Sequence, residues 1–396
     1  MQKSMDEKLA RIHADPACRD FILADAKDAD MAFGMAAPGK SPEHHAHEAK
    51  FRTLDEYRQL MREIVHQGLV DIMLMSASSN EVLAIQERLF DSSHVTPAVR
   101  ANDTTDIWLA AGTGRYPSDP SRPFRSATID HIMCGKQDCS PEERRLGADL
   151  GLYSVTFNND TERDLETLDA YKQFRLEAEQ KGFRYFLEVF NPNACGDSPP
   201  ADLGRFINDH IVRALAGVTG AGRPQFLKVA YNGPAAMEAL AGYDRSLVVG
   251  IMGGSSGTTF DAFHMLAEAK KHGARVALYG RKINNSEHQL TFVKYLRAVA
   301  DEAIAPEEAV RAYHGDLKKL GLQPYRALEE DLQLTYTESS YAGTSSPRPA
   351  GPTASRPTSP APSRPTAPSS DEPDFSKMTP AEKARWNIER WKRILG

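Results

Sequence analysis

The chain has 396 residues, 41% of them hydrophobic and 26% charged, with a formal net charge of −6. That suits one large soluble domain or two medium ones, and the mild acidity argues against nucleic acid or an anionic membrane as partner, since both select clustered basic surface. Nowhere is there an uncharged apolar run long enough for a membrane span, and the N-terminal MQKSMDEKLARIHADP lacks the apolar core of a signal peptide. The spacing of Cys18, Cys134, Cys139 and Cys195 matches neither a disulfide framework nor a zinc pair, which predicts free thiols in a reducing cytoplasm.

Residues 1–29 read as an N-terminal helical extension, and from residue 30 short β-rich runs alternate with longer helical patterns. The first predicted strand is Met31–Ala36. The HHAH that follows (His44, His45, His47) has no acidic or cysteine partner at defined spacing and reads as a solvated loop rather than a metal site. Next come a helix over Leu54–His66, a strand over Leu69–Met75, a helix over Ser79–Phe90 and a strand over Val95–Arg100. Arg100 and Asp103 end that strand, placed to touch a ligand or to pair with each other. The segment from Asp103 to Pro141 is loop-like and longer than an ordinary connection; Asp130 and His131 within it receive no role.

A fourth strand over Leu152–Phe157 offers Tyr153, Asn158 and Asn159 as its polar groups, and a helix over Glu162–Lys181 follows. The fifth, Arg184–Phe190, carries Glu188 among apolar residues, with Asn191 and Asn193 just beyond it, equally suited to holding hydroxyls or making a turn. After a helix over Leu203–Ala216, the sixth strand, Gln225–Ala230, carries Lys228 between apolar neighbours. A buried lysine is costly unless paired or used. It either pairs with a carboxylate such as Glu188 or, desolvated, supplies a neutral amine that attacks a carbonyl to form a Schiff base. Glu188 is then its counter-ion, its proton-transfer partner, or both.

A helix over Ala235–Ala241 leads to the seventh strand, Leu247–Met252, which ends in Gly253-Gly254-Ser255-Ser256-Gly257-Thr258. The eighth, Arg275–Tyr279, ends in Gly280-Arg281. Small residues let backbone N–H groups converge on an anion, the helix over Thr258–Lys271 adds its positive end, and Arg281 adds a guanidinium fork. Helices over Ser286–Ala300 and Pro306–Leu320 complete the folded part. Nine of the 25 prolines fall between Pro347 and Pro373, in a stretch without large apolar residues, so residues 339–375 read as a disordered Pro/Ser/Thr-rich linker. Residues 376–396 then form an amphipathic helix with Trp386 and Trp391, suited to docking on a protein partner or on the folded unit.

Eight strands, several of them continuous apolar runs such as VDIMLM and LVVGIM, alternate with helices over about 280 residues. That pattern predicts a (β/α)8 TIM barrel over residues 30–325, rather than an open doubly wound sheet. In such barrels anion sites form after strands seven and eight, where the glycine turns and Arg281 fall.

The ordered set FLEVF, FLKVAY, GIMGGSSG and VALYGRKIN, within residues 30 to 300, resembles the class I, Schiff-base aldolase superfamily of the deoxyribose-phosphate and tagatose-bisphosphate aldolase type. The resemblance implies a cytoplasmic, metal-independent aldehyde-lyase of carbohydrate metabolism without a cofactor, acting on a phosphorylated sugar or keto compound. Lys228 matches the Schiff-base lysine and Glu188 the strand-five glutamate, with Tyr153 available to move protons through water. Gly280 and Arg281 match the phosphate site, with Gly253, Gly254 and Ser255 opposite; apart from the resemblance, Ser256 completes that turn and Arg100 is an expected substrate contact. Barrels of this kind often form homo-oligomers. The family's strand-one aspartate has no counterpart in MAFGMAAPGK, and its strand-four lysine has none in GLYSVTFNND. Those departures point to a changed substrate, a related carbonyl chemistry, or a non-catalytic barrel that binds a phosphorylated metabolite and docks a partner through its last helix. An isomerase with Glu188 as base is a third reading.

Overall fold

The computed structural model describes residues 1–41, 51–108, 118–254 and 257–335. Eight parallel strands close into a barrel in sequence order: β1 (Ile22–Lys27), β2 (Ile72–Met75), β3 (Thr96–Arg100), β4 (Leu150–Thr156), β5 (Arg184–Phe190), β6 (Leu227–Val229), β7 (Val249–Met252) and β8 (Val276–Tyr279). β8 pairs back on β1, with Ile22 opposite Val276, so the barrel sheet itself has no open edge. The chain is a (β/α)8 barrel, as predicted. Among the described residues no helix is long and apolar enough to cross a membrane.

Side chains on a strand alternate between faces, and here the inward positions are the even-numbered ones. Ile22, Ala24, Ile72, Leu74, Ala98, Leu152, Phe186, Phe226, Val276 and Leu278 fill the interior. Odd-numbered residues such as Leu23, Met73, Val99, Tyr153, Leu187, Ile251 and Tyr279 face the surrounding helices. The same alternation turns Arg100, Ser154, Glu188 and Lys228 inward, above the apolar layers, at the strands' C-terminal ends.

The first strand lies upstream of its predicted position. Met31–Ala36 is a helical turn, Asp30–Phe33 followed by Gly34–Ala36, and β1 is ILADAK. The barrel therefore begins at residue 22, not 30. Asp25 and Lys27 obscured this strand, because two charges in six residues do not read as a buried run. Both face outward and are fully buried as an ion pair of 2.9 Å, with Lys27 also donating to Asn284 at 2.6 Å. Burial raises the Asp25 pKa and lowers that of Lys27, each opposed by the other's charge.

The N-terminal helix, Ser4–Ala14, plugs the bottom of the barrel by setting Met5 and Leu9 into the interior cluster. Lys8 donates to Asp71 and to the Phe21 carbonyl, at 2.8 and 3.0 Å, and ties the plug to the floor. The predicted Ser79–Phe90 helix is shorter and mixed, Ala77–Asn80 running into a π-turn over Glu81–Gln86. In the long insertion Cys134 and Cys139 form a disulfide, correcting their reading as free thiols; the turn after helix Ile129–Cys134 brings their Cα atoms to 6.1 Å. Cys18 and Cys195 are not cross-linked. His44, His45 and His47, the linker and the terminal tryptophan helix lie outside the described residues.

Candidate active site

Glu188 and Lys228 are direct partners in the β5–β6 register, both inward, and their side chains form a close ion pair. Neither carries appreciable solvent exposure, at 0% and 4%. Arg100, at the end of β3, completes the arrangement. Its Nε donates to Asp28 at 2.6 Å, its Nη1 to Ser154 at 3.1 Å, and its Nη2 lies 3.5 Å from Glu188. Ser154 Oγ donates to Glu188 at 2.6 Å, and the Ser154 backbone N–H is held by Asn102 Oδ1 at 2.6 Å. Two cations and two carboxylates thus share one buried network, which is how ionised groups are tolerated there.

This network supplies what the sequence reading lacked. With strand one at Ile22–Lys27, the residue just past its end is Asp28, an acid on the inner side bonded to Arg100. The apparent absence of a strand-one acid followed from misplacing the strand. Tyr153 is corrected in the opposite sense. It faces outward, stacked on Phe174 at 4.3 Å between β4 and its helix, and burial pushes its hydroxyl pKa above the ordinary value. The inward group on β4 is its neighbour Ser154. The alternation of Leu150, Leu152 and Ser154 carried that signal, but a tyrosine draws attention that a serine does not.

Above Lys228 lies a cavity of about 40 Å³ whose walls include Asp28, Arg100, Lys228, Gly253, Gly254, Gly280 and Arg281. Lys228 and Arg281 therefore converge on one space. That volume holds about a water molecule or two, so a phosphosugar enters only if the roof moves. The roof includes Phe33, whose ring lies 5.0 Å from the Arg281 guanidinium carbon. Two glycines have packing reasons of their own. A Cβ on Gly253 would strike the Tyr279 ring, and one on Gly280 would strike the Ala26 carbonyl. Gly254, at φ +64° with open space around it, is held to glycine by backbone conformation alone. Ser255 and Ser256 lie outside the described residues.

The helix Thr259–Lys271 does not offer its N-terminus to an anion as predicted. The Thr259 N–H donates to Asp331 at 2.7 Å, the Thr258 N–H to Asp261 at 2.6 Å, and the Asp261 N–H to Thr258 Oγ1. Gly253, Gly254, Gly280 and Arg281 remain as candidates for an anion site. Lys282 braces the same turn, donating to the Gly257 carbonyl at 2.7 Å, and burial lowers its pKa to about 8.

The remaining polar candidates hold loops. Asn191 and Asn232 exchange paired amide bonds of 2.9 Å, and Asn158 Oδ1 accepts from the Asn193 and Ala194 N–H groups. Asn159 donates to the Ser198 carbonyl. Asp130 pairs with Lys181 at 2.7 Å, and His131 bonds the Thr128 hydroxyl. Asp103 accepts from Ser126 at 3.4 Å, and Arg100 bonds Asp28.

No family model matches the chain, and no curated protein matches it. Solved structures do. A crystal structure of an archaeal fructose 1,6-bisphosphate aldolase is similar over 75% of this chain and 99% of its own, with a TM-score of 0.53 at 15% identity. A structure of a Schiff-base-forming fructose-1,6-bisphosphate aldolase covers 76% and 100%, with a TM-score of 0.52 at 15% identity. A fructose-bisphosphate aldolase from Slackia heliotrinireducens covers 79% and 91%, with a TM-score of 0.53 at 14% identity. At such identities the likeness is one of fold.

Proposed function

We propose that the protein is a class I aldolase-like carbon–carbon lyase that acts on a phosphorylated sugar or keto compound through an imine on Lys228. One observation carries this reading: Lys228 stands on the inner face of β6 against Glu188, and lines one cavity with Arg281 and the glycine turns of β7 and β8. Barrels similar to this one include an aldolase described as Schiff-base forming, which supports the reading at the level of chemistry.

Glu188 takes the proton that the Lys228 ammonium must lose before its nitrogen adds to the substrate carbonyl, and returns it to the leaving oxygen as the carbinolamine loses water. The iminium then accepts the electron pair of the adjacent carbon–carbon bond. As that bond breaks, the hydroxyl on the departing carbon gives its proton to Asp28, an aldehyde forms, and the retained half becomes an enamine. Protonation of the enamine and hydrolysis release the second product and restore the amine. Arg281 with the Gly253–Gly254 and Gly280 turns holds the phosphate of the retained half, which fixes the carbonyl over Lys228. Arg100 keeps both carboxylates in position.

Enamine formation exchanges the α-proton of a keto-phosphate with solvent. In deuterium oxide the protein should place deuterium on carbon 3 of dihydroxyacetone phosphate, read by proton NMR, and Lys228→Ala should not. Exchange that survives in Lys228→Ala would refute the proposed chemistry.

A further inference from the structure

The two sides of the candidate site differ in charge. On the β7–β8 side stand the glycine turns and Arg281. On the β1–β5 side stand Asp28 and Glu188, with Asp30 and Asp103 in the segments that follow β1 and β3. Asp30 follows β1 and accepts from Ser76 at 2.7 Å; Asp103 follows β3 and meets Ser126 at 3.4 Å. Burial raises the pKa of both; the nearby Asp28 charge adds to each rise, while the Arg100 guanidinium opposes it more strongly at Asp103. Arg100 lies on this side as well, and its guanidinium bonds Asp28, Ser154 and Glu188. At the C-terminal ends of β5, β6 and β7, Phe190, Ala230 and Met252 pack with Ala32 and Ile107 into a buried apolar cap.

A substrate bound through its carbonyl to Lys228 and through its phosphate to Arg281 must extend its other half toward Asp28, Glu188 and this cap. We infer that this half carries no phosphate: the site takes a keto-monophosphate whose departing or incoming partner is a short, uncharged aldehyde. A second phosphate would meet Asp28 and Glu188, whose neighbour Arg100 is already bonded to both, and apolar side chains beyond them. A neutral aldehyde can donate its hydroxyls to the acids and rest its carbon chain on the cap. The inference rests on the Lys228 imine proposed above.

Aldol synthesis tests it. The enamine carbon of the Lys228-bound keto-phosphate adds to the aldehyde carbon, the aldehyde oxygen takes up a proton, and hydrolysis of the iminium frees the lysine. With dihydroxyacetone phosphate as donor, glyceraldehyde and glyceraldehyde 3-phosphate are compared as acceptors, since they differ only in the second phosphate. The expected kcat/KM is about tenfold or more in favour of glyceraldehyde, because like-charge contacts at a site are strongly unfavourable. That gap should narrow as salt is raised or when Asp103 is changed to Asn. Preference for the 3-phosphate, or condensation with neither aldehyde while donor exchange proceeds, overturns this inference alone. Absence of donor exchange overturns the imine reading, and the inference with it.

Discussion

Glu188 and Lys228 face each other across one rung of the β5–β6 ladder and close an ion pair inside the barrel. Glu188→Gln keeps the shape but removes the charge and the proton acceptor. We expect kcat to fall by about two to three orders of magnitude, the usual worth of a positioned acid–base group. Stability should fall by about 3 kcal/mol, because a buried lysine is left without its counter-ion. Steady-state kinetics and urea unfolding measure the two separately.

β4 offers a paired test of side-chain direction. Tyr153→Phe should leave kcat within about twofold, since the hydroxyl lies in the outer layer, where the variant keeps the stacking on Phe174. Ser154→Ala removes a hydroxyl that donates to Glu188 and accepts from Arg100. It should lower kcat by about tenfold or more, as expected when a buried carboxylate loses a bonding partner. The reverse order would place the β4 contribution on the wrong residue.

Arg100 holds three side chains together. Arg100→Met strands Asp28 and Glu188 in the interior with only Lys228 to balance them, and should cost about 3–5 kcal/mol in a denaturation experiment. A loss below about 1 kcal/mol would mean that the network exchanges partners easily and does not organise the site.

Lys282 gives a pH dependence with a definite sign. Its pKa falls from 10.5 in the open chain to about 8 in the fold. Between those values the folded protein binds fewer protons than the unfolded one, so stability rises with pH across that alkaline window. Lys282→Met should flatten this rise, checked by unfolding midpoints at pH 8, 9 and 10. The turn it braces at Gly257 links the effect to phosphate affinity, which should weaken in the variant.

Much of this architecture was legible in the sequence, because strands buried on both faces read as apolar runs. Arg184–Phe190 was placed to the residue, and Glu188 and Lys228 stood out as charges inside such runs. β1 was not legible for the complementary reason. Asp25 and Lys27 face the helix layer as a buried pair, and their charge hides a strand whose inner face is only Ile22, Ala24 and Ala26. With that strand misplaced, Asp28 was lost from the site. On β4 the sequence points to Tyr153 while the inward group is Ser154, because composition shows which groups are polar and only strand register shows which way they point. The capture of the Thr259–Lys271 helix terminus by Asp331 depends on a contact across 72 residues, which no local pattern encodes.

The central claim is that Lys228 forms the imine. Borohydride reduction in the presence of dihydroxyacetone phosphate, followed by peptide mass mapping, tests it most directly. The account predicts one reduced adduct, on the peptide containing Lys228, lost in Lys228→Ala and suppressed by excess inorganic phosphate. An adduct on another lysine, or none with an otherwise folded protein, would contradict it.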